Sequence, residues 1–394
     1  MRFILITGSS GFIGHALCME LERREGVTLL RHDIENSSED LHAALARADV
    51  IFHLAGVNRP QDPKEFETGN AGLTGEICSR LIETGHSPLL ILSSSTQAEL
   101  DNPYGISKRR AEEEVREYAA QTKAEVAAYR FPNVFGRGCR PNYNSAVATF
   151  CHNIARDLEI KVNDPSVEMT LVYIDDVVEE LMRALDKKPT RQGAFCRVPV
   201  EHVVRLGRIV ELLEEFKQSR IDIHVPDQAD AFSKKLYATY LSYLPTDRFS
   251  YPLTMYVDDR GSFTPFLKTT ERGQVSVNIS KPHITKGNHW HHTKNEKFLV
   301  VSGRGVIRLR MAGGQRTDDG GQWTGIDEEM RPSNIEPNGE IIEYFVSGEK
   351  LEVVDIPPGY THNIENLGET DMVTVMWVNE VFDPERPDTI FEEV

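Results

Sequence analysis

The chain has 394 residues, and its 44 lysines and arginines face 61 aspartates and glutamates, which gives a formal net charge of −17. Apolar residues make up 40% and charged residues 27%, a globular composition that excludes the disordered and fibrous classes. A chain this acidic repels phosphate, so we expect it to bind neither nucleic acid nor an anionic membrane. At about 150 residues per domain, the length predicts two or three domains.

The cysteines and the first residues of the chain indicate the cellular compartment in which the protein is expected. Cys18, Cys78, Cys139, Cys151 and Cys196 form no C-x-x-C pair, which predicts reduced thiols and neither a disulfide framework nor a thiolate zinc site. Residues 1–7 predict a strand and no signal peptide. No apolar run approaches the roughly 20 residues of a membrane helix. We therefore expect a cytoplasmic protein.

Strand-like and helix-like segments alternate as far as about Tyr243. The predicted strands are residues 3–7, 27–31, 50–55, 89–93 and 125–131, and the predicted helices are residues 11–24, 39–47 and 104–121. Alternation of this kind predicts βαβ units around a parallel sheet, hence the α/β class. We place this domain at residues 1–245.

From about Thr254 onward, short apolar segments are separated by Gly, Pro and Asn. The predicted strands are residues 274–279, 297–301, 306–311, 341–346, 350–356 and 372–378. This pattern predicts an all-β barrel or jelly roll over residues 246–394. We expect a linker at residues 244–248 and a long loop at residues 312–339, which are rich in Gly, Asp and Pro.

Gly8, Gly11 and Gly14 form a G-x-x-G-x-x-G loop directly after the first strand and at the start of a helix. Such glycines let the backbone approach a pyrophosphate, and the helix N-terminus supplies amides. A tight turn without a ligand is the alternative, but the position as the first β–α turn favours a nucleotide site. The second strand ends in Arg31, His32 and Asp33. A carboxylate at a strand end favours a ribose hydroxyl and an arginine favours a 2′-phosphate; because Arg31 comes first, we expect NADPH. A merely solvated Arg31 is the alternative.

Tyr104 and Lys108 share one helix face and follow the serine-rich strand end at residues 93–95. An ammonium near a phenol lowers the pKa of the phenol toward working pH. The phenol can then exchange a proton with a carbonyl or alcohol oxygen as hydride moves, and a serine hydroxyl can hold that oxygen. A surface helix without chemistry is the alternative.

These motifs, with residues 53–56, 70–72, 130–136 and 173–177, resemble the extended short-chain dehydrogenases/reductases that act on nucleotide sugars. The resemblance implies a Rossmann-type doubly wound sheet. It implies Ser95, Tyr104 and Lys108 as catalytic residues, with Ser94 as the alternative serine. It implies cofactor contacts from Gly8, Ser10, Gly11, Phe12, Ile13, Gly14, Arg31, Leu54, Ala55, Gly56, Asn70, Tyr104 and Lys108. The stretch between the second strand and Val50 is shorter than in that family.

His289 and His291 lie on the same face of a predicted strand, because side chains alternate with period two. Two imidazoles, a carboxylate and a third imidazole can hold Zn, Fe, Ni or Mn, whereas nitrogen ligands disfavour Mg and Ca. The patterns H-x-H-x₄-E-x₆-G and P-x-G-x₂-H-x₃-N resemble both halves of the cupin signature. That resemblance implies a metal, with zinc expected, on His289, His291, Glu296 and His362.

A metal-free barrel that keeps the histidines as core or catalytic groups is the alternative. Residues 259–263 resemble a segment of nucleotide-sugar 3,5-epimerases, in which the arginine, here Arg260, meets the diphosphate. In that alignment His289 falls where those enzymes keep a basic histidine, so it could abstract a proton. His292, Lys294 and Tyr360 are further candidates for moving protons.

A reductase followed by an epimerase-like barrel indicates successive chemistry on one keto-sugar. Over nearly its whole length, and most strongly at residues 240–245, 258–263 and 286–298, the sequence resembles the CapF/WbjC/FnlB group of capsule and O-antigen enzymes. The resemblance implies C3 epimerisation of a UDP-2-acetamido-2,6-dideoxy-4-keto-hexose in a zinc-carrying cupin, then NADPH-dependent C4 reduction. The implied product is UDP-2-acetamido-2,6-dideoxy-L-talose, on the way to UDP-N-acetyl-L-fucosamine. A homo-oligomer, dimer or tetramer, is also implied.

Three other functions are compatible with the residues. The first is a 4-keto-sugar reductase whose cupin only binds sugar or mediates dimerisation. The second is a non-catalytic regulatory or scaffold protein. The third is a metal-dependent oxygenase built on the cupin, which the fused reductase half supports little.

Overall fold

The computed structural model describes residues 1–312 and 340–394, so the predicted loop lies, from Gly313 on, outside the described residues. The chain divides into two compact units, Met1–Lys217 with Asp227–Phe249 and Gln218–Pro226 with Ser250–Val394. The second unit thus includes Gln218–Pro226. This segment is hydrogen bonded to a strand of the second unit, since the Val225 amide donates to the Lys268 carbonyl (2.8 Å). Within the described ranges, no helix has the length and apolar character that a membrane span requires.

The first unit alternates strands and helices. Its strands are β1 (Arg2–Thr7), β2 (Val27–His32), β3 (Val50–His53), β4 (Leu89–Ser95), β5 (Val126–Phe131), β6 (Asn133–Phe135), β7 (Glu168–Tyr173), β8 (Arg191–Gln192), β9 (Phe195–Cys196) and β10 (His202–Arg205). The helices are α1 (Phe12–Leu21), α2 (Ser38–Leu45), α3 (Lys64–Phe66), α4 (Leu73–Thr84), α5 (Pro103–Thr122), α6 (Ala146–Ile154), α7 (Ile174–Leu185), α8 (Leu206–Gln218) and α9 (Ala231–Ser242). The predicted alternation of strands and helices is confirmed.

Seven strands form one sheet in the order β2-β1-β3-β4-β5-β9-β8, and every pair except β8–β9 is parallel. A smaller sheet has the order β10-β7-β6. The chain passes from β2 through α2 straight to β3 on the far side of β1, so β2 is left at the sheet edge. The short stretch before Val50 therefore holds a single helix, α2, and no further strand beyond β2.

The parallel sheet is buried on both faces. In β1, Ile4 and Ile6 belong to one hydrophobic core and Leu5 to another, because successive side chains point to opposite faces. A parallel sheet covered by helices on both sides requires such continuous apolar strands. The predicted Rossmann-type α/β fold of this unit is confirmed.

The second unit consists of antiparallel strand ladders. Its described strands are β11 (Tyr256–Asp258), β12 (Gly261–Thr269), β13 (Gly273–Ser280), β14 (Thr285–Trp290), β15 (Glu296–Ser302), β16 (Arg304–Met311), β17 (Ile342–Ser347), β18 (Val353–Ile356), β19 (Tyr360–Asn366), β20 (Met372–Val378) and β21 (Ile390–Phe391). They form a six-stranded sheet, β11-β12-β13-β20-β15-β18, and a five-stranded sheet, β17-β16-β19-β14-β21. The predicted all-β character is confirmed.

The core of the second unit joins the two sheets. Phe298 and Val300 of β15 belong to one buried cluster with Ile307 and Leu309 of β16. The two β-strands contribute alternate residues, as expected where one face of each sheet is buried. Residues on these inward faces near the ends of β14, β15 and β19 are polar, and they form the site described below.

Candidate functional sites

The glycine loop lies at the carboxyl end of β1, where the backbone is too crowded for side chains. A Cβ at Gly14 would lie 2.0 Å from the Gly8 carbonyl oxygen, and one at Gly8 would lie 2.8 Å from the Ala55 Cα. Gly8 also adopts a φ of +70°, which L side chains rarely take. Gly11 is the N-cap of α1, so the free amides of this helix face the loop. These features fit a dinucleotide pyrophosphate.

Two residues at the end of β2 have partners in the structure. The Asp33 carboxylate accepts hydrogen bonds from the Ser10 amide (3.1 Å) and the Ser10 hydroxyl (2.8 Å), and also from the Ser9 hydroxyl. Arg31 forms an ion pair with Glu22, and both side chains are about half exposed. The sequence analysis missed the contact between Asp33 and the loop.

The start of α5 fixes the position of Tyr104. Asn102 caps the helix by accepting a hydrogen bond from the Gly105 amide (2.8 Å), and Pro103 occupies the first turn. A Cβ at Gly105 would lie 2.3 Å from the Gln97 carbonyl oxygen, so the helix start packs closely on the turn that follows β4. This contact places Tyr104 beside Ser95, at the end of β4.

Ser95, Tyr104 and Lys108 lie together, as predicted. Burial raises the pKa of the Tyr104 phenol, and interaction with the Ser95 hydroxyl opposes this rise. The Lys108 Nζ lies 5.9 Å from the Tyr104 ring centroid and donates to the Ser93 carbonyl (3.1 Å). Burial lowers the pKa of Lys108 to about 8. The sequence predicted a lowered pKa for the phenol, whereas burial raises it in this structure.

The other predicted cofactor residues adjoin this group. A Cβ at Gly56 would lie 2.9 Å from Asn70 Oδ1 and 3.0 Å from Lys108 Nζ. The buried Asn70 accepts from the Val57 amide (2.9 Å) and donates to the Ser107 hydroxyl (2.9 Å). Phe12, Ile13 and Leu54 pack against the hydrophobic core. The predicted cofactor residues therefore lie next to one another, from the glycine loop to the predicted catalytic lysine: Gly8, Ala55, Gly56, Asn70 and Lys108.

Ser94 has a different environment from Ser95. Its hydroxyl donates to the buried Glu112 carboxylate (2.6 Å), which also accepts two hydrogen bonds from Arg130 (2.9 and 2.8 Å). A hydroxyl committed to a buried carboxylate is poorly suited to hold a substrate oxygen. The geometry therefore favours Ser95 over Ser94.

In the second unit, a β-bulge brings the histidines onto one face. The ladder between β14 and β19 is interrupted between Gly287 and His289, and Asn288 adopts a φ of +60°. Beyond the bulge His289 pairs with His362, and their ring centroids are 4.6 Å apart. The His291 ring centroid lies 4.9 Å from that of His289.

The predicted ligands converge. One donor atom from each of His289, His291, Glu296 and His362 lies within 4.8 Å of the others. The Glu296 Oε2 lies 3.0 Å from His362 Nε2 and 3.5 Å from His291 Nε2. These three atoms are buried and lack hydrogen-bond partners with acceptable geometry. Buried polar atoms that face one another in this way fit a divalent metal, because it would satisfy them all.

The far nitrogens of two of the imidazoles meet backbone carbonyls. His291 Nδ1 faces the Asp388 carbonyl, and His362 Nδ1 faces the Tyr360 carbonyl (3.3 Å). Donation from Nδ1 to a carbonyl leaves the Nε2 lone pair free, which is the usual arrangement of metal-ligating histidines. Burial alone would raise the pKa of Glu296, but the facing imidazoles of His291 and His362 lower it to about 2.

The cluster opens into a cavity of about 970 Å³. Its wall includes four cationic side chains, those of Arg260, Lys268, Lys286 and Lys294. Of the residues considered as proton carriers, His289 and Lys294 line the cavity. The buried Lys294 ammonium donates to the Pro387 carbonyl, and Lys286 donates to Asn278 Oδ1 (2.9 Å). A cavity of this size accommodates a sugar next to the four ligands.

Comparison with protein families separates the same two parts. Residues 4–195 match the NAD dependent epimerase/dehydratase family, and residues 256–319 and 330–390 match the polysaccharide biosynthesis C-terminal domain. The fold and these matches define a domain of the NAD dependent epimerase/dehydratase type joined to a C-terminal domain of polysaccharide biosynthesis.

Individual relatives cover the whole chain. It is 42% identical over 386 residues to the UDP-2-acetamido-2,6-beta-L-arabino-hexul-4-ose reductase of Pseudomonas aeruginosa, across 98% of this chain and 97% of that protein. It superposes on the capsular polysaccharide assembling protein CapF from Staphylococcus aureus with a TM-score of 0.88 and 54% identity, covering 99% and 100% of the chains. A structure of CapF with the inhibitor 3-isopropenyl-tropolone superposes with a TM-score of 0.85 and 50% sequence identity, and the match covers 100% of each chain. The chain belongs to the CapF family of capsular polysaccharide enzymes.

Proposed function

We propose that the protein is a bifunctional nucleotide-sugar enzyme. Its second unit, a metal-binding cupin, epimerises C3 of a UDP-2-acetamido-2,6-dideoxy-4-keto-hexose. Its first unit then reduces the C4 ketone with NADPH. The product is UDP-2-acetamido-2,6-dideoxy-L-talose, on the way to UDP-N-acetyl-L-fucosamine. The name of the Pseudomonas relative, a reductase of a 4-keto UDP-sugar, supports the reduction step.

In the reduction, bound NADPH supplies the hydride that forms the new C4–H bond. The Tyr104 hydroxyl gives its proton to the ketone oxygen as the carbonyl π bond breaks, and Ser95 holds that oxygen by a hydrogen bond. Lys108 supplies positive charge behind the phenol, which favours the phenolate left after proton transfer. Solvent then returns the proton to Tyr104.

The preference for NADPH rests on Arg31. Its ion pair with Glu22 joins two side chains that are each about half exposed, and such pairs contribute little stability. The guanidinium is therefore free to exchange the carboxylate for a 2′-phosphate, which it can bind through two hydrogen bonds.

In the epimerisation, a metal held by His289, His291, Glu296 and His362 would polarise the C4 carbonyl of the sugar. The C4 ketone makes the neighbouring C3–H acidic, so a base in the cavity can remove that proton. Return of a proton to the opposite face inverts C3. The inhibitor bound by the CapF relative, a tropolone, has two adjacent oxygens of the kind that chelate divalent metals, which supports a metal here.

Reduction after epimerisation makes the two reactions effectively irreversible in that order, because the reduced sugar lacks the C4 carbonyl that acidifies C3–H. The observation that carries the proposal is the presence of two distinct sites on one chain. One is the group of Ser95, Tyr104 and Lys108 in the unit that holds the crowded glycine loop. The other is the four-ligand cluster that opens into a sugar-sized cavity.

Product analysis by NMR, with and without NADPH, tests the proposal. With NADPH we expect the L-talo product, inverted at C3 and reduced at C4. Without NADPH we expect the C3 epimer of the keto-sugar and no reduction. A product reduced at C4 with C3 unchanged would instead indicate a reductase whose second unit only binds sugar or mediates dimerisation.

A further inference from the structure

The C-terminal tail crosses the turn that joins β14 to β15. β21 pairs antiparallel with the end of β14, and Phe391 lies opposite His289. The Glu392 amide extends this pairing by donating to the Asn288 carbonyl (3.0 Å). Pro387 and Asp388, just before β21, are thereby held against the turn at residues 291–295, which lies between two of the predicted metal ligands.

The Asp388 carboxylate binds three successive backbone amides of this turn. The His292 amide donates to Oδ1 (3.0 Å), and the Thr293 and Lys294 amides donate to Oδ2 (3.0 and 3.2 Å). The Thr293 hydroxyl lies within hydrogen-bonding distance of Oδ2 (3.1 Å) and of Glu380 Oε1 (3.0 Å), so its single proton is shared between the two carboxylates. Consecutive amides that converge in this way form an anion-binding nest. Hydrogen bonds to an ionised acceptor are roughly twice as strong as neutral ones.

The main chain of Asp388 holds the same turn at a second point. Its carbonyl is the partner of His291 Nδ1, and the neighbouring Pro387 carbonyl accepts from the Lys294 ammonium. Asp388 has a φ of +39°, a region that aspartate tolerates better than most residues. Asp388 thus has two contacts with this turn. Its carboxylate binds the backbone of the turn, and its carbonyl faces the His291 ring, whose tautomer and orientation it can fix.

We propose that Asp388 is a positioning residue for the metal centre. It orients His291 through its carbonyl, and it fixes the turn between His291 and Glu296 through its carboxylate. This inference rests on the metal site of the proposed function. Asp388 acts through a ligand and does not itself reach the cluster. Outer hydrogen-bond partners of this kind commonly change metal affinity by about 10–100-fold.

The variant Asp388→Asn tests this role. It keeps the size of the side chain but replaces one acceptor oxygen with an NH₂ group that faces N–H donors. Asp383→Asn is the matched control, because it removes the same charge from the same tail. The Asp383 carboxylate accepts from the Glu385 amide (2.9 Å) and pairs with Arg386 (3.7 Å). The full-length protein is stripped with a chelator, and Zn²⁺ affinity is measured by competition with a chromogenic chelator.

We expect Asp388→Asn to weaken Zn²⁺ binding by about 10–100-fold and Asp383→Asn to leave it unchanged. The visible absorption bands of the Co²⁺-loaded protein should shift or weaken in Asp388→Asn alone, because they report ligand geometry. Should Asp388→Asn fail to fold, Thr293→Val removes one hydrogen bond to the same carboxylate and should weaken binding less, in the same direction.

Equal Zn²⁺ affinity and an unchanged Co²⁺ spectrum in Asp388→Asn would overturn the role of Asp388 while leaving the metal site intact. If only Thr293→Val can be measured, unchanged affinity in that variant overturns it as well. If the parent protein takes up neither ion, the metal part of the proposed function fails, and the inference fails with it.

Discussion

Tyr104 is the residue on which the reduction depends most directly. Its phenol is partly buried, interacts with the Ser95 hydroxyl and lies with its ring centroid 5.9 Å from the Lys108 Nζ. We expect Tyr104→Phe to slow NADPH oxidation by the keto-sugar by about 10²–10⁴-fold, the usual contribution of a positioned proton donor. Exchange of the C3 proton should be unaffected, because the proposal places that step in the second unit.

Tyr118→Phe is a control for this change. Tyr118 lies on the same helix, α5, and its hydroxyl donates to the Pro88 carbonyl (3.0 Å) instead of facing the site. It should alter stability but not the chemistry at C4. Loss of both NADPH oxidation and C3 exchange in Tyr104→Phe would show that the two activities are not separable as proposed.

Lys108 connects the site to the pH dependence of stability. Burial lowers its pKa from 10.5 in the unfolded chain to about 8 in the folded protein. Between these values the unfolded chain binds more protons at this position, so stability rises with pH. A charged, buried Lys108 therefore destabilises the protein at about pH 7 by up to about 3 kcal/mol.

We expect Lys108→Met to abolish reduction and yet raise the free energy of unfolding at about pH 7. That gain should fade as the pH rises from 8 to 10.5, since the parent lysine becomes neutral in both states. Urea unfolding at several pH values measures this gain in the free energy of unfolding. Lys187→Met, at an exposed lysine, is the control. A gain that does not depend on pH would contradict the role of burial.

At the scale of elements, two helical glycines differ in what a side chain would meet: Gly14 in the first turn of α1, and Gly75 in α4. A Cβ at Gly14 would lie 2.0 Å from the Gly8 carbonyl oxygen, so Gly14→Ala must distort the loop and should abolish NADPH binding. In α4, a Cβ at Gly75 would meet its nearest atom at 3.5 Å, an ordinary contact. Gly75→Ala should therefore stabilise the helix by about 1 kcal/mol. NADPH titration and thermal unfolding of both variants distinguish the two effects.

The segment from β14 into the following turn contributes two of the four proposed ligands. The double variant His289→Ala with His291→Ala should lose bound metal, because two of the four donors disappear. His283→Ala, which removes an exposed histidine near Glu369, is the control. Metal analysis of the purified proteins measures the result. Equal occupancy in the double variant and the parent would refute the ligand assignment.

The pattern of the sequence predicted the parallel sheet because β1, β3 and β4 are continuous apolar runs. It did not predict β12, since Pro265 interrupts the strand next to a β-bulge, where a missing amide is tolerated. The H-x-H spacing predicted that His289 and His291 share a face, and the resemblance to cupins implied Glu296 and His362. The four side chains do cluster, and a metal bound by them stays a prediction. The bulge at Asn288 leaves no comparable signal, although it sets their register.

Contacts between distant residues were the least predictable. Asp388 lies almost 100 positions beyond the turn that it binds, and a lone aspartate before a short strand resembles any surface residue. Asp33 was noticed at the end of β2, but its hydrogen bonds to Ser9 and Ser10 depend on the three-dimensional path of the loop. Such contacts follow from the fold and have no fixed spacing.

At the scale of the whole molecule, the proposed function assigns two chemical steps to the two compact units. The first holds the dinucleotide loop with Ser95, Tyr104 and Lys108, and the second holds the four clustered ligands. Because each site is complete within its own unit, each half-reaction should survive the loss of the other. Family membership supports nucleotide-sugar chemistry, and the division of labour is the claim that remains to be measured.

Isotope exchange in D₂O tests most directly whether the two reactions are divided between the two units. The protein is incubated with the 4-keto UDP-sugar in the absence of NADPH, and deuterium at C3 is followed by NMR. We predict that deuterium enters C3 in the parent and in Tyr104→Phe, and that it does not enter in the variant lacking His289 and His291. If C3 stays fully protonated while the same preparation oxidises NADPH normally, the account is contradicted.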